Sequence, residues 1–288
     1  MRTGGTRGAG GARGGGRARK AAVAVTTALT ALFLTGQAPA TATGSSAAPH
    51  GGPPSDPAPG GPQRPYEPDV PGPRNIDSLS ATVTPDGGTK RGVRVGFDRT
   101  SRSDEGGAPA GARRFVFLFD ESLDFRPEAF PVCARKVIEA EGVDACPEGS
   151  RVGRGTSHVY PEGTAEVFAF NTRHANGLRG ALVVIPESNA LLELTWERVT
   201  PEYRESGYEW ALDEIVPVSA VPPEDRAGTL RFELEWGAAR EVGGREVSFA
   251  ELSGDRDERL RFGLWSSFVT GQIALPETTT VPGGKRAG

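Results

Sequence analysis

Leu230-Arg231-Phe232-Glu233-Leu234-Glu235-Trp236 alternates apolar and charged side chains without a break. Successive side chains of an extended chain point to opposite faces, so this period of two describes a strand with one buried face and one wet face. The same period recurs on both sides of it. Val93, Val95 and Phe97 alternate with Arg94, Gly96 and Asp98. Leu192, Leu194 and Trp196 alternate with Glu193, Thr195 and Glu197, and Tyr208, Trp210 and Leu212 with Glu209, Ala211 and Asp213. Leu260, Phe262 and Leu264 begin a further run. Phe115–Phe119 and Ala181–Ile185 are apolar at every position, as in strands covered on both faces. Turn signals at Pro85-Asp86-Gly87-Gly88, Asn176-Gly177, Gly243-Gly244 and Ser253-Gly254-Asp255 separate these runs. Many short strands with a polar outer face predict an all-β domain over residues 74–276, an antiparallel β-sandwich of immunoglobulin-like or jelly-roll type. One segment departs from the period. Pro131–Glu141 (PVCARKVIEAE) carries helix formers after a proline and stops at Gly142, which predicts a single short helix.

The chain before residue 74 reads differently. Met1–Lys20 is basic, Ala21–Leu34 is apolar, and Ala38-Pro39-Ala40 and Ala40-Thr41-Ala42 offer small-residue cleavage points. That order predicts a secretory signal peptide over residues 1–42. The apolar run is shorter than a membrane span requires, so no stable span is expected after cleavage. Residues 43–73 are rich in Pro, Gly, Ser and Ala and predict a disordered tether. Residues 277–288 are expected to form a flexible tail. Leu275-Pro276-Glu277-Thr278-Thr279 is one residue away from a sortase signal, but no apolar helix and basic tail follow it.

Charge narrows the partners. The chain carries a formal charge of −4, and the first 42 residues hold six basic residues and no acid, so without them the charge is −10. An acidic chain lacks the basic face that nucleic acid or anionic lipid requires.

Cys133 and Cys146 are the only cysteines. In an oxidising compartment two cysteines pair, here around the short helix. Their spacing fits no CxxC redox motif, and two thiols do not complete a zinc shell. The surrounding residues run Phe130-Pro131-Val132-Cys133, then Ala145-Cys146-Pro147-Glu148-Gly149-Ser150-Arg151-Val152-Gly153-Arg154-Gly155. This resembles the motif F-P-x-C … A-C-P-x-G-S-x-V-G-x-G of a family of secreted actinobacterial β-rich proteins without an assigned activity. The resemblance covers about Leu79 to Asn171. It implies export and a β-rich domain, and it transfers no catalytic residue.

Few residues suggest chemistry. His158 and His174 are the only histidines after the tether, no G-x-S-x-G elbow is present, and the glycines at 149, 153 and 155 precede no P-loop lysine. Carboxylates are more plentiful. Glu193 and Glu197 share one face of a predicted strand, as do Glu209 and Asp213. Neighbouring strands would bring them into an acidic patch, either a solvated face or a carboxylate pair for glycoside hydrolysis. Asp255, Asp257 and Glu258 form an acidic loop in which calcium binding is an open alternative to a plain surface loop. Trp265 falls on the opposite phase from Phe262 and Leu264, which predicts an exposed aromatic on the ligand face. No cofactor and no metal site are expected. These residues point to an exported, non-catalytic protein binding an envelope glycan, lipid or protein. The alternatives are a glycan-active hydrolase and a lipid carrier with an apolar inter-sheet cavity, the latter suggested by the doubly apolar strands.

Overall fold

A computed structural model describes residues 58–60, 67–215, 222–226, 228–254 and 258–283. The predicted signal segment lies outside them. The described chain runs β1 (Asn75–Pro85), β2 (Gly92–Ser103), β3 (Ala112–Asp120), β4 (Leu123–Phe125), α1 (Arg135–Glu141), β5 (Arg151–Val159), β6 (Thr164–Arg173), β7 (Arg179–Ile185) and β8 (Ala190–Arg198). It continues with α2 (Pro201–Glu205), β9 (Tyr208–Ile215), β10 (Thr229–Trp236), β11 (Ala239–Val242), β12 (Arg245–Ser248), β13 (Ala250–Leu252), β14 (Leu260–Phe268), β15 (Ile273–Ala274) and β16 (Glu277–Thr280). The fold is all-β and antiparallel, as the alternation demands.

Fourteen of these strands share one hydrogen-bonded sheet. Its spine runs β14-β3-β9-β8-β7-β6-β5-β10-β2, with β1 beyond β2, and β15 and β16 beside β14. The strands β13 and β4 extend it beside β2, and β11 and β12 form a separate hairpin. The sheet folds over until its two edges meet. Just past β16, the Gly283 N–H donates to the Val83 carbonyl of β1 at 2.8 Å. The Gln272 side chain accepts from the Asn75 N–H and donates to the Asn75 carbonyl, both at 2.7 Å. Facing halves therefore enclose the core in the manner of a sandwich. Phe97 on β2 meets Phe117 and Phe119 on β3 and Phe262 on β14, edge to face, at 5.2–5.6 Å. Neither β3 nor β14 is a sheet neighbour of β2, so these contacts cross the interior.

The doubly apolar strands are explained by two outer caps. The helix α1 and the disulfide lay Ile138 and Cys133 over Phe170, Leu182 and Val184 of β6 and β7. Cys133 and Cys146 are bonded, as the sequence predicts, with Cα atoms 5.2 Å apart. Asn171 on β6 pins this cap: its side-chain amide donates to the carbonyls of Pro127 and Phe130 at 2.8 and 2.9 Å. Glycines at 153 and 155 bring β5 against β10, where a Cβ at 155 would lie 1.7 Å from the Glu233 carbonyl oxygen. They serve close backbone approach rather than a phosphate loop.

The second cap corrects the sequence expectation of one helix. The helix α2 sets Tyr203 beside Val116, Leu118, Tyr208 and Trp265. It has only five residues, opened by Pro201, too few to show a helical period. Its cover also corrects the expectation for Trp265, which faces outward as the phase requires yet is only 4% exposed.

Both predicted flexible stretches contain anchored residues. The Pro59 carbonyl accepts from the Thr200 N–H at 2.7 Å, and Arg114 donates to the Gly60 carbonyl. Ala58 packs on the second cap. Residues 277–280 form β16, where Glu277 accepts the Tyr208 hydroxyl at 2.6 Å. In both places a polar, apolar-poor segment is held through its backbone and charges, which composition does not reveal. Burial and the Glu277 carboxylate push the Tyr208 phenol far above its ordinary value.

Candidate functional site

The interior of the folded sheet is filled at one end and open at the other. At the open end lies a cavity of about 430 Å³. Its apolar wall includes Phe115 and Phe117 of β3, Leu192 of β8, Phe232 of β10 and Leu264 of β14. Strand register puts three polar residues into the same inward rows. Phe232 pairs with Arg99 of β2 on one side and Ser157 of β5 on the other. Glu214 of β9 pairs with Phe115 and with Leu194. Arg99, Ser157 and Glu214 are all buried and all line the cavity.

Arg99 is held by charge and by rings. Its guanidinium grips the Asp77 carboxylate with Nε and Nη2 at 2.8 and 3.2 Å. It also lies 4.9 Å from the Phe115 ring centroid and 5.8 Å from that of Phe268. A bidentate, ring-stacked arginine has little freedom to move, so the polar part of the wall is preorganised.

At the mouth stand Ala112, Asp225, Arg226 and Thr229. Arg226 donates through both terminal nitrogens to Glu67, at 2.9 and 2.6 Å. Arg113 donates to Glu67 at 3.1 Å, to Asp69 at 2.6 Å and to the Pro68 carbonyl at 2.6 Å. The Val70 N–H donates to the Val269 carbonyl at 3.0 Å. Hydrogen bonding to Arg226, reinforced by Arg113, holds the Glu67 carboxyl below its ordinary range against the opposing effect of burial.

None of the residues proposed from the sequence as a ligand face lies on this cavity. Glu193, Glu197, Glu209 and Asp213 do share the outward face of β8 and β9, where Thr195 pairs with Asp213 and Glu197 with Ala211. Three of them are engaged in ion pairs. Glu193 binds Arg135 of α1 at 3.1 Å, Glu209 binds Arg198 and Arg204, and Asp213 is buried against Arg114. Glu197 is half-buried near Gly60. Glu193 and Glu209 tie α1 and α2 to the sheet, Asp213 ties β9 to its neighbour β3, and the four form no facing pair across a cleft. Trp265 belongs to the second cap. Ser157 and His158 are sequence neighbours on opposite strand faces: the serine lines the cavity, and the histidine ring meets Thr164 Oγ1 at 3.0 Å. His174 Nε2 lies 2.9 Å from the Leu194 carbonyl oxygen. Among the described residues no group of three or more His, Cys, Asp or Glu is arranged to hold a metal ion. Asp255 and Asp257 of the acidic loop lie outside the described residues.

A wider groove of about 710 Å³ lies outside the sheet between α1 and the β7–β8 turn. Much of its wall is exposed helix and turn, including Arg135, Glu139 and Glu141, without the preorganised buried charges of the internal cavity.

This chain matches no family model, no curated protein and no solved structure. The site therefore rests on its own geometry.

The sequence does carry a signal for Arg99 and Glu214. Each completes an otherwise apolar phase: Val93, Val95, Phe97, then Arg99; Tyr208, Trp210, Leu212, then Glu214. A charge in the buried row of a strand marks either a strand end or a built polar site: Glu214 stands next to the end of β9, whereas Arg99 lies within β2.

Proposed function

We propose that this chain is an exported, non-catalytic binding protein whose internal cavity takes one small, mostly apolar molecule with a polar end, such as a lipid component of the cell envelope. The cavity carries the proposal. Its volume falls within the range of small-molecule pockets, and apolar walls with a few fixed polar groups are the usual composition of such sites. The envelope-binding and lipid-carrier readings of the sequence converge on it. Export is supported by the predicted signal segment and is compatible with the disulfide, as is the resemblance to secreted actinobacterial proteins. The hydrolase reading loses its support because three of its four carboxylates are committed to arginines on the outer face.

The test is equilibrium binding of N-phenyl-1-naphthylamine, a neutral apolar fluorophore, followed by displacement with long-chain fatty acids and glycerolipids. Saturable binding at one site is expected. Leu192→Trp, which fills the cavity from its wall, is expected to weaken binding by at least about tenfold, the equivalent of roughly 1.4 kcal/mol. Glu197→Gln on the outer face is expected to change nothing. Absence of saturable binding, or binding indifferent to Leu192→Trp, overturns the proposal.

A further inference from the structure

We infer that Glu67–Val70 is a releasable clasp on the mouth of the cavity, and that Glu67 sets how fast the cavity exchanges its contents. The inference rests on the reading of the cavity as a ligand site and concerns its regulation.

The geometry singles out Glu67. Its carboxylate is shared by two arginines from separate segments that border the cavity. Arg113 follows Ala112 at the start of β3, and Arg226 follows Asp225 ahead of β10; Ala112, Asp225 and Arg226 all line the cavity. One carboxylate thus ties the two segments together. The segments are already in contact: a Cβ on Gly111 would lie 2.7 Å from the Arg226 Cβ. The absence of a side chain there lets them approach, and Glu67 holds them.

The manner of attachment makes the clasp releasable. Pro68 and Asp69 are exposed, and Glu67 and Val70 are only half-buried. Ion pairs and hydrogen bonds to Arg113, Arg226 and Val269 hold the segment. No side chain of the segment belongs to a described apolar cluster. The Glu67 pairs are largely shielded and the Asp69 carboxylate is exposed, but a short segment held by polar contacts without apolar packing opens at lower free energy than the core. The Arg99–Asp77 pair deeper in the wall is the opposite case, with both side chains nearly inaccessible. A loose clasp over a rigid wall separates the two tasks of such a site: the wall holds a ligand, and the clasp times its passage.

The experiment uses the mature protein and its Glu67→Gln variant, which keeps side-chain shape and removes the charge. Stopped-flow uptake and release of N-phenyl-1-naphthylamine are measured together with hydrogen exchange of the peptide containing Val70. Both rates are expected to rise about fivefold or more on loss of the ion pairs, with equilibrium affinity nearly unchanged and Val70 exchange accelerated. Asp69→Asn, which removes only one contact of Arg113, is expected to give a smaller change in the same direction. Raising salt to about 1 M is expected to speed the wild type part of the way toward the variant, because the Asp69–Arg113 pair is screened more than the shielded Glu67 pairs. Probe uptake with rates indifferent to Glu67→Gln and to salt overturns the clasp alone. If neither protein takes up probe, the cavity reading falls and the clasp's role falls with it.

Discussion

The two ends of the folded sheet are built from the same strands and filled in opposite ways. At the filled end Trp196 and Trp236 lie 6.4 Å apart, and Phe125 stacks on Trp196 at 4.3 Å. Phe249 closes the cluster against Phe130 at 5.3 Å. At the other end Phe115, Phe117 and Phe232 line a space instead of filling it, and an arginine and a glutamate occupy the inward row. Large rings in edge-to-face contact make a dense core. Packing of that kind was available to the whole sheet, since the apolar rows run toward both ends. Leaving one end open, with buried charges in its wall, forgoes burial there, and the proposed binding site rests on that difference.

The largest expected effect tests this contrast. Trp236 is inaccessible and contacts Phe117 and Trp196. Trp236→Ala is expected to cost about 3–5 kcal/mol in denaturant unfolding. Phe232→Ala, in the half-open wall, is expected to cost less than about 2 kcal/mol, because the side chain already borders a void. Probe affinity should respond in the reverse order, with Phe232→Ala the more damaging. Equal losses of stability at both positions would erase the distinction between the ends.

The disulfide sharpens it from outside. Cys133 and Cys146 are 13 residues apart, and closing a loop of that size contributes about 3 kcal/mol in the chain-entropy model. The bond anchors α1 on the outer face and touches neither end of the interior. The double Cys→Ser variant is therefore expected to lose stability by about that amount, read from unfolding midpoints, while probe affinity is retained. Loss of binding at full folding would show that the outer cap shapes the cavity.

Much of the fold was legible because it depends on local period. Leu230–Trp236 announces its strand, and Arg135–Glu141 its helix, from side-chain order alone. The cysteine pair is legible from its count together with the expectation of export. What escaped was assembled from distant segments. The cavity draws residues from β2, β3, β5, β7, β8, β9, β10 and β14, and no window of sequence contains it. The shared face of the outward acids is legible from their period, but their arginine partners at 114, 135 and 204 sit on other elements, so in sequence a set of ion pairs looks like an open acidic patch. The phase of Trp265 is legible and its environment is not, because its cover, α2, is too short to leave a periodic trace. The phase argument says which way a side chain points and is silent on what lies there.

The smallest expected effect concerns acid and the clasp. Glu67 faces Arg226 and Arg113, with Asp69 sharing Arg113, and its carboxyl is depressed from an ordinary value of 4.5. A carboxyl depressed in the folded state contributes stabilisation that is present above its unfolded value and lost as pH falls through the folded one. Between pH 6 and 8 Glu67 stays ionised, so the rate difference between wild type and Glu67→Gln is expected to be constant. As pH falls below the ordinary value and on through the lower folded one, the wild type protonates, its clasp loosens, and its release rate is expected to climb toward that of the variant. A ratio of release rates that shrinks toward one only in acid assigns the clasp to this carboxylate. A ratio that stays constant throughout would place the control of exchange elsewhere on the rim, and the open end would then owe its closure to packing, like the filled one.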